Sequence, residues 1–453
     1  MRILILSYGS RGDVQPFVAL GLGLKAAGHQ VTLATAARFE GFVTSHGLEF
    51  GALSDDMLAL LETGEGREFL ENANNPIQIL TRLKSVIQHV QPLQDQLLLD
   101  CWEVARGFQP DFIVFNPKTY GGPYIAERLG VPVLLALPVP YLVPTGEHPN
   151  TVFPDLGLGA AYNLLTYHSV SALLRLAYAP YMQRLRSSMD LAPHSMLDLL
   201  QLTPGKDIST VHAISPHVVP RPPDWPDKAR MTGYWFLDAQ DDWTPPPQLE
   251  AFLAAGPPPV YVGFGSMRGS DPERLGQVVV DALQLAGLRG VVASGWGGIR
   301  LPALPDSILQ IETAPHDWLF ARMSALVHHG GAGTTAAGLR AGKPTVITPF
   351  FGDQPYWGKR VHALGAGSHP ILSTDLTADA LAKALTEVTT SPAIRTAAER
   401  LGHAIRAEDG VGEAVRLIED LARSAAQVSQ SNTGNRTSSN PSLFKRLRPP
   451  RTP

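Results

Sequence analysis

Cysteine is almost absent: Cys101 is the only one in 453 residues. That excludes an intramolecular disulfide and any metal site built from several thiolates, and a lone cysteine reads as a small buried apolar residue. Charge imbalance is missing as well. The 37 Lys and Arg nearly balance 41 Asp and Glu, leaving a formal net charge of −4, so nothing argues electrostatically for a nucleic-acid partner. No run approaches the ~20 apolar residues that a membrane helix needs. The opening apolar run, Ile3 to Leu6, is too short for a secretory signal peptide and reads as a buried first strand. These absences predict a cytoplasmic address.

What is present is a globular composition, 44% hydrophobic and 17% charged, on a chain too long for one core. Short apolar runs alternate with helical stretches. Ile3 to Leu6, Gln30 to Ala34, Asp111 to Phe115 and Val131 to Leu137 are predicted strands. A loop over Ser7 to Asp13 precedes a helix from Pro16 to Ala27 that Gly28 ends, and another helix covers Tyr124 to Leu129. After a Pro-rich stretch the alternation restarts with Val260 to Gly263, Gly290 to Ala293, Ile308 to Ile311, Ala325 to Val327 and Thr345 to Ile347. The expectation is α/β: two Rossmann-like, doubly wound domains facing one another across a cleft. Their bounds are read as 1–240 and 260–425, joined by a linker over 241–259 and followed by a disordered basic tail over 426–453. Lys445, Arg446, Arg448 and Arg451 in that tail suggest a weak peripheral contact with anionic lipid, against a solvated, idle tail. Two insertions, near 54–105 and 138–200, read equally as helical packing layers or as a wall for a bound molecule.

One segment carries most of the chemistry. Ala325, Leu326 and Val327 run into His328, His329, Gly330, Gly331, Ala332, Gly333 and Thr334, and then into a helical stretch. Strand, Gly-rich turn and helix in that order aim backbone N–H groups and a positive helix end at one point, which suits a phosphate. Asp353 and Gln354 follow the next strand and offer a carboxylate and an amide to sugar hydroxyls. Together they describe a pocket for a nucleotide sugar. Many sites of that kind hold a metal through Asp-x-Asp, a spacing that does not occur here. No metal and no other cofactor is therefore expected, the nucleotide sugar being a co-substrate.

Several long motifs, in order, resemble the GT-B glycosyltransferases of the UDP-glycosyltransferase family. They are Ser7 to Pro16, Tyr162 to Tyr167, Gly233 to Leu237, Val262 to Met267, Pro315 to Phe320 and the His328-His329-Gly330-Gly331 box. The likeness runs from Met1 to about Ala422 and is nearest to sterol 3β-glucosyltransferases and to bacterial macrolide and glycopeptide aglycone glycosyltransferases. It implies inverting, metal-independent transfer of glucose or a close hexose from a UDP-sugar to a hydroxyl of a hydrophobic molecule. Sterol-like acceptors come first; carotenoid, polyketide or glycopeptide aglycones are the alternatives. A sugar-nucleotide epimerase and a non-catalytic partner protein keeping the nucleotide fold are the rival readings.

In that scheme Asp13 resembles the family's catalytic base, with capping of the following helix as its structural alternative. Arg11, Tyr141 and Tyr162 fall on the acceptor side. His328 corresponds to the histidine that contacts the pyrophosphate, and Gly330, Gly331, Ala332, Gly333, Thr334 and Ser266 add donors around it. Trp296 is placed to stack on the base, Pro315 and His316 to meet its edge, and Asp353 and Gln354 to bind the hexose.

Overall fold

The computed structural model describes residues 1–61, 76–192, 200–203, 206–238, 243–265, 267, 271–294, 299, 301 and 304–436. Ser266 and Trp296, like the cationic residues of the tail, lie outside the described residues. No helix among the described residues is long and apolar enough to cross a membrane.

The first lobe is a seven-stranded parallel sheet. Its strands are β1 (Arg2–Leu6), β2 (Gln30–Ala36), β3 (Glu49–Leu53), β4 (Phe112–Phe115), β5 (Val133–Leu137), β8 (Ser209–His212) and β9 (Ala229–Met231), in the order β3-β2-β1-β4-β5-β8-β9. A separate two-stranded hairpin pairs β6 (Gln201–Thr203) with β7 (Lys206–Asp207). Ile3, Leu4, Ile5 and Leu6 are all fully buried, as a strand covered by helices on both faces requires. The second lobe holds β10 (Val260–Gly263), β11 (Gly290–Ala293), β12 (Ile308–Ile311), β13 (Ala325–His328) and β14 (Thr345–Ile347), ordered β12-β11-β10-β13-β14 and all parallel. In each sheet the winding reverses beside its first strand, between β1 and β4 and between β10 and β13. The loops leaving those strands diverge there and open a crevice, where such sheets take ligands.

Four expectations change. The first helix spans Arg11–Ala26, so Asp13 stands in its first turn and not on a loop. Ser10 is the N-cap, and the Asp13 carboxylate accepts from the Ser10 amide, which fixes the start five residues before Pro16. The Pro-rich linker contains a helix, Pro247–Ala254, whose Leu249 is buried in the second lobe's core with Tyr261 and Leu326. The chain's last described helix, Gly410–Arg436, belongs with the first lobe: Ala414, Val415 and Ile418 join that lobe's core, and His29 Nε2 lies 3.1 Å from Glu419. It also carries helical structure to Arg436, into the stretch expected to be disordered from 426 onward. The two insertions contribute long helices: Pro76–Phe108 packs on β1, β2 and β3, and Ala160–Ser188 packs on that helix. They also reach the cleft, through Leu97 and Tyr178.

Candidate active site

Between the lobes lies a cleft of about 2550 Å³, and both switch points open into it. On the first lobe the loop after β1 and the loop after β4 meet. Asp13 Oδ2 accepts from the Ser10 amide at 2.7 Å, from the Ser10 hydroxyl at 2.9 Å and from Lys118 Nζ at 2.8 Å. Its Oδ1 makes no hydrogen bond among the described residues, and the side chain lines the cleft. Arg11 lines it too, its guanidinium 4.6 Å above the Phe42 ring and its Nε donating to Gln15. Apolar wall continues through Phe39, Phe42, Met57, Leu58 and Tyr178.

On the second lobe the helix Ala332–Arg340 starts directly after the glycine turn, with Gly331 as N-cap. The first amide bonded back into the helix is that of Thr335, to Gly331. Those of Ala332, Gly333 and Thr334 lie in the unpaired first turn and line the cleft with Gly331. Gly330 has φ +89°, and a Cβ there would come within 2.7 Å of Ile347 Cγ2 and 3.2 Å of the Gln354 carbonyl. Only glycine fits that turn.

The histidine pair divides differently from the sequence reading. His328, the last residue of β13, is fully buried and is no part of the cleft wall, and neither is Gly330. Its Nδ1 accepts from the Gly330 amide at 3.0 Å, and its Nε2 is buried without a hydrogen-bond partner among the described residues. The ring faces the sheet–helix layer, next to Gly338. His329 is the one that lines the cleft, packed over Gly265, where the backbone turns at φ +61°. Burial, helped by the neighbouring His316, pushes its imidazole down to about 4. His316 also falls to about 4, through burial first and then the charge of Arg11. Arg11 belongs to the first lobe, so the two walls feel each other across the gap. Both rings are held neutral near pH 7 by that burial.

Asp353 and Gln354 line the same cleft at the start of the helix Gln354–Ala363. Asp353 Oδ2 accepts from Trp357 Nε1 at 2.7 Å. Burial pushes its carboxyl above the usual range despite that bond, and the charge of Asp13 adds to the rise. Gln354 is largely committed: Oε1 accepts from the amides of Phe350 and Phe351 at 2.7 and 3.2 Å, while Nε2 lies 3.5 Å from Met267 sulfur. Only Nε2 is left for a ligand. Pro315 lines the cleft as the N-cap of the His316–Phe320 turn.

The two tyrosines part company. Tyr141 is set behind the wall, yet its phenol is pushed up by burial and then by Tyr178, Asp13 and Asp353. It thus lies within electrostatic reach of carboxylates from both lobes. Tyr162 is away from the cleft, donating to the Pro154 carbonyl at 2.8 Å. Lys118 and His329 are two cleft residues that the site reading passed over. The signal for Lys118 was its place just after β4, at the switch point. No group of three or more His, Cys, Asp or Glu able to hold a metal occurs among the described residues.

Comparison with known proteins agrees with this geometry. Residues 3–143 match the Glycosyltransferase family 28 N-terminal domain, and residues 296–421 match the Erythromycin biosynthesis protein CIII-like C-terminal domain. A sterol 3-beta-glucosyltransferase of Arabidopsis thaliana is 38% identical over 94% of this chain and 66% of its own length. One from Aspergillus clavatus is 38% identical over 97% of this chain and 31% of its own length. The chain thus spans under two thirds of the Arabidopsis relative and about a third of the fungal one. Among solved structures, the glycotransferase of kitacinnamycin superposes with a TM-score of 0.66 at 20% identity, covering 93% of this chain and 98% of that one. The glycosyltransferase VinC in complex with dTDP gives 0.65 at 20% identity, covering 93% and 100%. Each lobe has its own matching model, the sequence likeness to the relatives runs through both, and the solved structures share the two-lobed fold: the chain belongs to the GT-B UDP-glycosyltransferase family.

Proposed function

We propose that this protein transfers glucose, or a close hexose, from UDP to a hydroxyl of a hydrophobic, sterol-like acceptor, with inversion and without a metal. One observation carries the reading: Asp13 on the first lobe and the open amides of the Ala332–Arg340 helix on the second line one cleft. The acceptor oxygen bonds to the anomeric carbon from one face, while the carbon–oxygen bond to the diphosphate breaks on the other and its electron pair leaves with the phosphate. The acceptor proton passes to Asp13 Oδ1. Growing negative charge on the diphosphate meets the amides of Ala332, Gly333 and Thr334, the positive helix end and His329. Asp353 and the Gln354 amide face the hexose. The apolar wall from Phe39 to Leu58 suits a fused-ring or polyprenoid acceptor, and the relatives named as sterol 3-beta-glucosyltransferases support the sterol class.

The test is an assay of purified protein with UDP-glucose, dTDP-glucose and a panel of sterols, carotenoids and aglycones, with and without EDTA. Expected is a β-glucoside made from UDP-glucose and a sterol, with EDTA harmless. Asp13→Asn should lower turnover by on the order of 1,000-fold and leave UDP affinity near wild type. Full turnover in that variant places the base elsewhere. Sugar conversion without any acceptor points to an epimerase, and inertness toward every donor to a non-catalytic partner.

A further inference from the structure

We propose that Lys118 is the positioning residue of the base, holding Oδ2 of Asp13 so that Oδ1 alone receives the acceptor proton. The inference deepens the glycosyl-transfer reading and rests on it. Lys118 Nζ sits 2.8 Å from Asp13 Oδ2, with the ammonium side chain 53% and the carboxylate 22% exposed. Both line the cleft. An ion pair that wet contributes little to folding, so stability does not explain the care taken to build it.

That care is visible in three places. First, Gly9 has φ +135°, and a Cβ there would overlap the Asp13 carboxylate and lie 2.6 Å from Lys118 Nζ. The loop leaves a side chain out where the pair stands. Second, Asn116, buried at the end of β4, fastens the two loops to each other. Its Nδ2 donates to Ser7 Oγ at 3.2 Å and to the Tyr8 carbonyl at 2.9 Å. Its Oδ1 accepts from the Lys118 and Thr119 amides at 3.1 and 3.2 Å. Third, Ser7 Oγ donates to the Asp13 carbonyl at 2.7 Å, and Thr119 Oγ1 to the Leu6 carbonyl at 3.0 Å. Lys118 and Asp13, 105 positions apart, are thus held by one rigid lattice.

The chemistry follows from which oxygen is occupied. Oδ2 has three donors and no lone pair well placed for a fourth; Oδ1 has none among the described residues. A carboxylate that rotates freely offers its proton-accepting oxygen in many directions, whereas this one offers it in one.

The experiment compares wild type, Lys118→Met, Lys118→Arg, Asp13→Asn and the Asp13→Asn/Lys118→Met double variant, measuring kcat and KM for UDP-glucose. Lys118→Met should lower kcat by on the order of 10- to 100-fold with KM for UDP-glucose unchanged. Lys118→Arg should restore most of kcat. In the Asp13→Asn background, losing Lys118 should cost nothing further. Wild-type kcat in Lys118→Met, with Asp13→Asn inactive, would overturn this inference and leave the transfer reading standing. Inactivity of the wild type, or full activity of Asp13→Asn, sinks the transfer reading itself.

Discussion

His212 makes the protein acid-sensitive by an amount that can be worked out. It ends β8, fully buried, with its ring stacked 4.2 Å from Trp225 at 26°. Nδ1 lies 3.3 Å from the Arg230 carbonyl and Nε2 has no partner among the described residues. Burial pushes the imidazole down to about 3, while in the unfolded chain it titrates near ~6.5. Between those values the unfolded state binds a proton that the folded state refuses, so stability is complete above the unfolded value and falls as pH drops through it. At pH 5 the cost is set by the unfolded value alone, about 1.5 pKa units, or about 2 kcal/mol. His212→Phe keeps the stack and removes the proton. At pH 7.5 the variant should be equal to wild type or about 1 kcal/mol weaker, for the lost hydrogen bond. At pH 5 it should gain about 2 kcal/mol relative to wild type. Calorimetry or urea unfolding at the two pH values reads the first lobe's transition directly. If wild type and His212→Phe lose the same stability between pH 7.5 and 5, the ring is already protonated in the fold and the reasoning fails. In the second lobe His316, His328 and His329 act in the same direction, partly offset by Asp353, whose carboxyl burial pushes upward.

Three further outcomes are expected. Gly330→Ala forces an unfavourable φ and a clash with Ile347; it should destabilise the second lobe by about 1–3 kcal/mol and abolish UDP binding, as thermal shift with UDP would show. Binding of a diphosphate beside His329 should raise that imidazole from about 4 by roughly two pKa units. UDP should then bind about tenfold tighter at pH 5 than at pH 7.5 relative to His329→Gln, and parallel titrations of the two proteins would refute a contact. Trp357→Phe removes the Asp353 hydrogen bond; KM for UDP-glucose should rise about tenfold with kcat nearly kept, and an unchanged KM would take Asp353 off the hexose.

The second lobe was the more legible. Four of its five strands, β10, β11, β12 and β14, have the bounds that the apolar runs predicted, and β13 is longer by His328 alone. Apart from β12, an edge strand interrupted by Gln310, those runs are short and buried throughout, which is what a strand covered on both faces looks like. In the first lobe β3 escaped because Glu49–Leu53 carries a charge and a glycine, and β9 because it is three residues with an arginine. The helix start at Arg11 was hidden by Pro16, which sits inside the helix. Pattern alone also could not say that Gly410–Arg436 folds back on the first lobe, since its apolar stripe fits either surface. Of the site, Asp13, the glycine turn and Asp353 were readable from local motifs. Lys118 was not, because what makes it part of the site is a strand order, and strand order is a long-range property.

The histidine pair shows where sequence reading must stop and why. A strand alternates its side chains between faces, but His328 ends β13 and His329 lies past it, so of these adjacent histidines one ring goes to the interior and one to the cleft. Register decides which. His328 still pairs with Ile347 in β14 and Gly263 in β10, which binds it to the alternation of the strand, and its ring goes into the layer between sheet and helix. His329 has left the ladder, and the turn at Gly330 carries its ring over Gly265 at the other strand of the switch point. The buried ring is not idle for that: by accepting the Gly330 amide, His328 holds the turn that presents the open end of the Ala332–Arg340 helix. The two histidines therefore divide one task, one shaping the anion site from beneath and the other meeting the cleft. Replacing His328 should accordingly cost stability and diphosphate binding together, whereas replacing His329 should cost binding alone; thermal unfolding and UDP titration on His328→Gln and His329→Gln separate the two, and the reverse pattern would reassign the rings.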